Sequence, residues 1–170
     1  MPRIKVIIIS QAFPWPPHDG NILPIYHYLR CLSPHVDYTL VTHEHDEPGA
    51  HAEGAEIFKN WGIELITVKR GGARAPIQAL DCMRNGIPWV NRVFSRNLRR
   101  RVDALLEGMT VRAPGSGVHQ RPVIHAEGIM SGQHLTGWGR LTSARGILVA
   151  RDCVSLNHRR RWESERHPVE

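Results

Sequence analysis

The chain has 170 residues, of which 41% are hydrophobic and 22% charged. This length suits one domain, or one half of a two-domain protein, and the composition excludes a chain that is disordered throughout. No apolar run approaches the roughly 20 residues of a membrane span. The apolar run near the N-terminus is too short for a signal peptide, so we expect a cytoplasmic protein.

Cysteine spacing excludes two further classes. Cys31, Cys82 and Cys153 lie far apart and form no C-x-x-C pair, which argues against a disulfide framework and against a structural zinc site. We expect all three to be small buried apolar residues.

The formal net charge of +6 comes mostly from arginines in 92–101 and 159–161. No helix-turn-helix pattern, RNP signature or Cys/His finger accompanies them, so nucleic-acid binding is the least favoured interpretation. The charge indicates either a solvated helix face and tail or a surface attracted to anionic phospholipid or a phosphorylated ligand.

The first predicted element is a strand over residues 5–9, a continuous β-branched run of the kind that is buried on both faces. A proline-rich loop follows it, and Asn21 then reads as the N-cap of a helix. The apolar face of this helix is predicted to consist of Ile22, Ile25, Tyr26, Leu29 and Leu32.

Two more strands are predicted over 36–41 and 63–68. Between them in the sequence lies a second predicted helix, which ends at Gly62. Its inward residues are predicted to be Ala52, Ala55, Phe58 and Trp61. A short helix over 77–83 and a longer one from Pro88 come next. The longer helix places Val90, Phe94, Leu98, Val102 and Leu105 inward and Arg92, Arg96, Arg99 and Arg100 outward.

The last predicted elements are a strand over 123–126, a glycine-interrupted helix over 129–141 and a strand over 147–150. Alternating strands and helices predict an α/β fold, with a Rossmann-like parallel sheet and helices on both faces. We assign this domain to residues 1–156, with an irregular insert over 110–122 and a flexible charged tail over 157–170.

Ligands of such sheets bind beyond the carboxyl ends of the strands. The segments predicted to lie there are 10–21, 42–45, 69–72, 125–128 and 151–152.

In the first of these segments, Asp19, Gly20 and Asn21 precede a helix N-terminus, where free N–H groups favour a phosphate. The alternative is a simple turn with an N-cap. The G-x-G-x-x-G fingerprint and the Walker A loop are both absent, which disfavours a nicotinamide-dependent dehydrogenase and a P-loop kinase.

His125 and Glu127 lie two residues apart at a strand end, where they can share a face and bind sugar hydroxyls or a phosphate. The alternative is a hydrogen-bonded strand terminus. Asp152, beside Arg151, could act as a base or orient an acceptor hydroxyl, or form an ion pair. We expect no metal site at His43-Glu44-His45, because extended backbone points the two imidazoles in opposite directions.

The segment Ile7-Ile8-Ile9-Ser10-Gln11-Ala12-Phe13-Pro14-Trp15-Pro16-Pro17-His18-Asp19-Gly20-Asn21, with Ile25-Tyr26-His27-Tyr28-Leu29 after it, resembles the start of a GT-B glycosyltransferase. The similarity is to family 4 sugar transferases of bacterial polysaccharide clusters, including those associated with exosortase systems. Two later segments, 123–128 and 147–156, resemble the strand ends of that family.

The resemblance implies the N-terminal, acceptor-binding domain of a retaining, metal-independent transferase in polysaccharide biosynthesis. The nucleotide-sugar is then a substrate, and no cofactor is expected. Substrate-binding residues would be Asp19, Gly20, Asn21, His125, Glu127, Gly128 and Arg151, with Asp152 as the catalytic candidate.

The family's nucleotide-binding domain is not found in this sequence, and no E-x7-E motif lies in a suitable context, so we expect a truncated chain that is inactive alone. A non-catalytic α/β binding module is the alternative function. The charge pattern suggests peripheral contact with an anionic membrane through Arg92, Arg96, Arg99 and Arg100, and a lipid-linked acceptor would suit this basic face. Without a second domain, the surface that would meet it would be exposed, which suggests a homodimer.

Overall fold

The computed structural model describes residues 3–20, 22–70, 95–111, 122–132, 135 and 145–149. Its five strands are all parallel and form one sheet in the order β3-β2-β1-β4-β5. They are β1 (Ile4–Ile9), β2 (Val36–His43), β3 (Glu64–Val68), β4 (Val123–Glu127) and β5 (Arg145–Val149). The predicted α/β fold with a Rossmann-like parallel sheet is confirmed.

Four helices are described, namely α1 (Leu23–Leu32), α2 (Pro48–Asn60), α3 (Arg96–Val111) and α4 (Ile129–Gly132). The predicted irregular insert over 110–122 begins too early, because Thr110 and Val111 still belong to α3. The predicted helix over 77–83 and the start of the helix from Pro88 lie outside the described residues. The tail over 157–170 does so as well.

Side chains that alternate along β1 enter two cores, one on each face of the sheet. Ile7 and Ile9 pack with Leu98 and Val102 of α3. Ile8 packs on the opposite face, in a core that also contains Ile25 and Leu29 of α1 and Phe58 of α2. The continuous β-branched run therefore covers both faces, as predicted, and Leu98 and Val102 are inward as expected.

β1 occupies the centre of the sheet, where Ile8 pairs with Leu40 of β2 on one side and with His125 of β4 on the other. Along the chain, β2 and β3 are added on one side of β1, and the next strand, β4, lies on the other side of β1. Such a reversal opens a crevice between the carboxyl ends of the two central strands, here β1 and β4.

Four positions on the helices differ from prediction. The N-cap position of α1 is Ile22 rather than Asn21, and Leu32 is 43% exposed, because Ile25 and Leu29 take the contact with the sheet. On α2 the buried small residue is Gly54, while Ala52 is exposed. Cys31 is also exposed, so its prediction as a buried apolar residue is wrong.

Candidate functional site

Polar side chains gather at the carboxyl edge of the sheet, as the parallel arrangement requires. Ser10 follows β1, while His43 ends β2 and Glu127 ends β4, and all three are buried. Of the predicted site residues, Asn21, Arg151 and Asp152 lie outside the described residues. The predicted residues that the structure describes are Asp19 and Gly20, before α1, and His125, Glu127 and Gly128, at the end of β4.

His125 and Glu127 form a close pair at the end of β4. The imidazole Nε2 lies 2.9 Å from the carboxylate Oε2, and their side chains are only 14% and 5% exposed. Ile124 and Ala126 enter the α3-side core, so the alternation of the strand turns the pair to the α1 side. The predicted shared face is confirmed, and the Tyr28 ring of α1 lies 5.8 Å from the His125 ring.

Gly128 has a structural reason for being glycine. Its φ is +77°, in the left-handed region that glycine adopts without strain. Its N–H donates to Val149 O at 2.8 Å, and its carbonyl accepts from Ser131 N and Gly132 N. Gly128 therefore turns the chain from β4 into α4 directly after the His125–Glu127 pair.

Two amides in the described part of the α1 entry are already engaged. The Asp19 carbonyl already accepts from the amides of Ile22 and Leu23, at 3.0 and 2.8 Å, and Pro24 has no amide hydrogen. A Cβ added to Gly20 would meet nothing within 4 Å, so no close contact requires a glycine at this position. This geometry supports the turn interpretation of this segment more than a phosphate cradle.

Sequence reasoning missed how firmly the loop after β1 is attached to α2. The Phe13 ring lies 5.7 Å from the Phe58 ring and 4.8 Å from the His51 ring. The Trp15 Nε1–H donates to Glu53 Oε2 at 3.2 Å. The aromatic residues between the prolines were the available signal, since a solvated loop has no need of Phe and Trp.

His43, at the end of β2, is 2% exposed, and its Nδ1–H donates to the Gln11 carbonyl at 3.0 Å. Burial lowers the pKa of His43, and the nearby Arg70 lowers it further, against the opposing effects of the Gln11 bond and Asp46. Within the described segments no cluster of three or more His, Cys, Asp or Glu side chains has the geometry of a metal site.

The lowered pKa of His43 predicts acid-sensitive stability. Because the unfolded chain binds the proton more readily, the free energy of unfolding falls as pH drops below about 6.5. Urea unfolding between about pH 8 and pH 5.5 should show this slope, and His43→Gln should flatten it. An unchanged slope in His43→Gln would contradict the assignment.

Thr42 carries a hydroxyl that burial leaves without a partner among the described residues. Thr42→Val removes that polar atom while keeping the shape, so we expect a gain of about 1 kcal/mol in the free energy of unfolding. Thr39→Val is the control. The Thr39 hydroxyl donates to Glu64 Oε2 at 2.8 Å, so its removal should not raise the free energy of unfolding. Equal effects of the two substitutions in urea unfolding would contradict the prediction.

No protein-family model matches the chain, and comparisons with curated proteins and with solved structures give no significant match. Across the described segments, no helix combines the length and apolarity needed to cross a membrane. The fold class therefore rests on the sheet and helices described above.

Proposed function

We propose that this chain supplies the acceptor-binding domain of a cytoplasmic sugar transferase, which moves a sugar from a nucleotide-sugar to a saccharide or lipid-linked saccharide acceptor. The observation that supports this most is the buried His125–Glu127 pair at the carboxyl end of β4, beside the crevice between β1 and β4. The resemblance of the Ile7–Asn21 segment to family 4 transferases supports it independently.

The pair has the chemistry that hydroxyl recognition needs. A carboxylate accepts hydrogen bonds from hydroxyl groups, and an imidazole can accept from or donate to them. His125 Nε2 and both carboxylate oxygens of Glu127 are closed to solvent, so an acceptor hydroxyl would reach them only after a local rearrangement and would then be shielded from competing water. Glu127 and His125 would orient the acceptor, while Asp152 remains the proposed acid or base.

Donor binding is assigned mainly to a second domain in this proposal. The amides of Ile22 and Leu23 are engaged by Asp19, so the entry to α1 gives little support for phosphate binding by this domain alone. Positioning two reactants contributes as much as ~7–11 kcal/mol to catalysis, and half a cleft cannot supply it. The isolated chain would then bind acceptor and transfer no sugar.

The exposed arginines of α3 fit a lipid-linked acceptor. Arg96 and Arg100 are exposed, whereas Arg99 lies 3.7 Å from Asp103. Such a helix would bring the domain to anionic phospholipid through charge attraction. Sedimentation with phosphatidylserine vesicles should then recover the chain at low salt, and Arg96→Gln/Arg100→Gln should reduce recovery.

The proposed site is tested by NMR titration of the full chain with a UDP-sugar and with a short polyprenyl-phosphate sugar. We expect the polyprenyl-phosphate sugar to shift amides centred on His125, Glu127 and Gly128, and to bind at least about tenfold more weakly to His125→Ala and Glu127→Gln. The UDP-sugar should bind this chain weakly or not at all. Asp37→Asn, which removes an exposed carboxylate near the amino end of β2, should bind normally. Absence of binding by the polyprenyl-phosphate sugar, or undiminished binding in both site variants, would contradict the proposal.

A non-catalytic binding module is the second candidate function, favoured by the engaged amides at the α1 entry. Sugar transfer by the purified chain alone would exclude this second candidate.

A further inference from the structure

Three buried polar side chains lie in one row across the carboxyl edge of the sheet. They are Glu127 of β4, Ser10 after β1 and Thr42 of β2, and we call them the polar row. The Ser10 amide donates to Val41 O at 3.0 Å, which sets Ser10 level with Thr42. The register between β1 and β4 sets Ser10 level with Glu127 on the other side. Because neighbouring strands lie about 4.8 Å apart, the polar row spans about 10 Å.

The polar row lies on the α1 side of the sheet. Ile8 of β1 and Leu40 of β2 enter the core on that side. Ser10 and Thr42 follow them by two residues, and side chains two residues apart along a strand share a face. The same alternation places Glu127 on this side. The polar row is therefore continuous with the crevice between β1 and β4.

The Thr42 hydroxyl has hydrogen-bonding capacity that folding leaves unused. Its oxygen is buried and has no hydrogen-bond partner among the described residues. A buried polar group without a partner disfavours folding, and a valine would fill the same space without that cost. The Ser10 hydroxyl donates to the Ala12 carbonyl at 2.7 Å, and its oxygen can still accept. This unused capacity, next to the crevice, points to a ligand.

The chemistry of the polar row suits the hydroxyl groups of a neutral saccharide ring. Serine and threonine hydroxyls both donate and accept hydrogen bonds, as sugar hydroxyls do, and a carboxylate accepts them. A phosphate that entered the polar row would meet the Glu127 carboxylate, and like charges repel strongly where water is excluded. The polar row therefore suits the saccharide part of a lipid-linked acceptor and not its phosphate.

We propose that Ser10 and Thr42 extend the acceptor site, and that a neutral saccharide ring binds along the polar row with its hydroxyls between Glu127 and Thr42. This inference rests on the proposed function, since it names further binding residues of the same site. The polar row is buried, and the Ala12 carbonyl contacts the Ser10 hydroxyl. Entry of the ring therefore requires residues 11–13 to move aside.

NMR titration of the full chain with a short polyprenyl-phosphate hexose tests this inference. The amides of Ser10 and Thr42 should shift with the same Kd as the amide of Glu127. Thr42→Val should bind about tenfold more weakly, because a ligand hydroxyl then meets a methyl group. This variant should fold, because the hydroxyl that it loses has no partner among the described residues. Thr42→Ser keeps the hydroxyl and should bind like the unmodified chain.

Thr39→Val is the matched control, because Thr39 lies on the same strand and its hydroxyl donates to Glu64 Oε2. It should bind like the unmodified chain. Undiminished binding in Thr42→Val, or equal weakening in Thr42→Val and in either Thr42→Ser or Thr39→Val, would overturn this inference. Weaker binding in His125→Ala would then still support the proposed function. Absence of binding by the unmodified chain would contradict the proposed function and this inference with it.

Discussion

Gly54→Ala is expected to destabilise the folded chain by about 1–3 kcal/mol, although alanine is the better helix former. A Cβ at position 54 would lie 2.6 Å from Cε1 of Phe13 and 2.8 Å from Cβ of Trp15. Such distances force the loop after β1 away from α2. Urea unfolding monitored by circular dichroism measures the change.

Gly49→Ala is the matched control for this substitution, since it lies in the same helix. A Cβ at position 49 would meet nothing within 4 Å, so the change should stabilise by about 0.5–1 kcal/mol through helix propensity. A Gly54→Ala variant as stable as Gly49→Ala would show that the loop does not pack on α2 as described.

Leu98→Ala is expected to lower the free energy of unfolding by about 2–5 kcal/mol, because it removes one of the two fully buried side chains with which α3 packs on the sheet. Leu98 lies in the same core as Ile7, Ile9 and Ile124. Differential scanning calorimetry should show a correspondingly lower melting temperature.

Leu32→Ala is the control for the α3 substitution, because 43% of Leu32 is exposed. Its effect should stay within about 0.5 kcal/mol. A Leu98→Ala variant with an equally small effect would mean that α3 does not pack on this face.

The sheet could be predicted from the sequence because its signals are local. The β-branched run over 5–9 indicates a strand that is buried on both faces. The alternation of strands and helices allows few topologies other than a parallel sheet. The shared face of His125 and Glu127 follows from strand periodicity alone. β4 continues one residue beyond its predicted end at Ala126 because Glu127 pairs with Val149 of β5.

The attachment of the loop after β1 could not be predicted, because it depends on contacts between distant parts of the chain. Proline signals indicated a loop, but no periodicity connects Phe13 with Phe58 or with the absence of a side chain at Gly54. The apolar face predicted for α1 was too wide for a similar reason. Helical periodicity places Leu32 near Ile25 and Leu29 but does not show which of them the sheet covers.

Nuclear Overhauser contacts between backbone protons test most directly whether β4 lies beside β1 and carries His125 and Glu127 to the crevice. The structure predicts contacts between Ile8 and His125 and between His125 and Ile147, in the pattern of parallel strands. Contacts that place β4 beside β3, or the close Hα–Hα pairs of antiparallel strands, would contradict the arrangement and the site built on it.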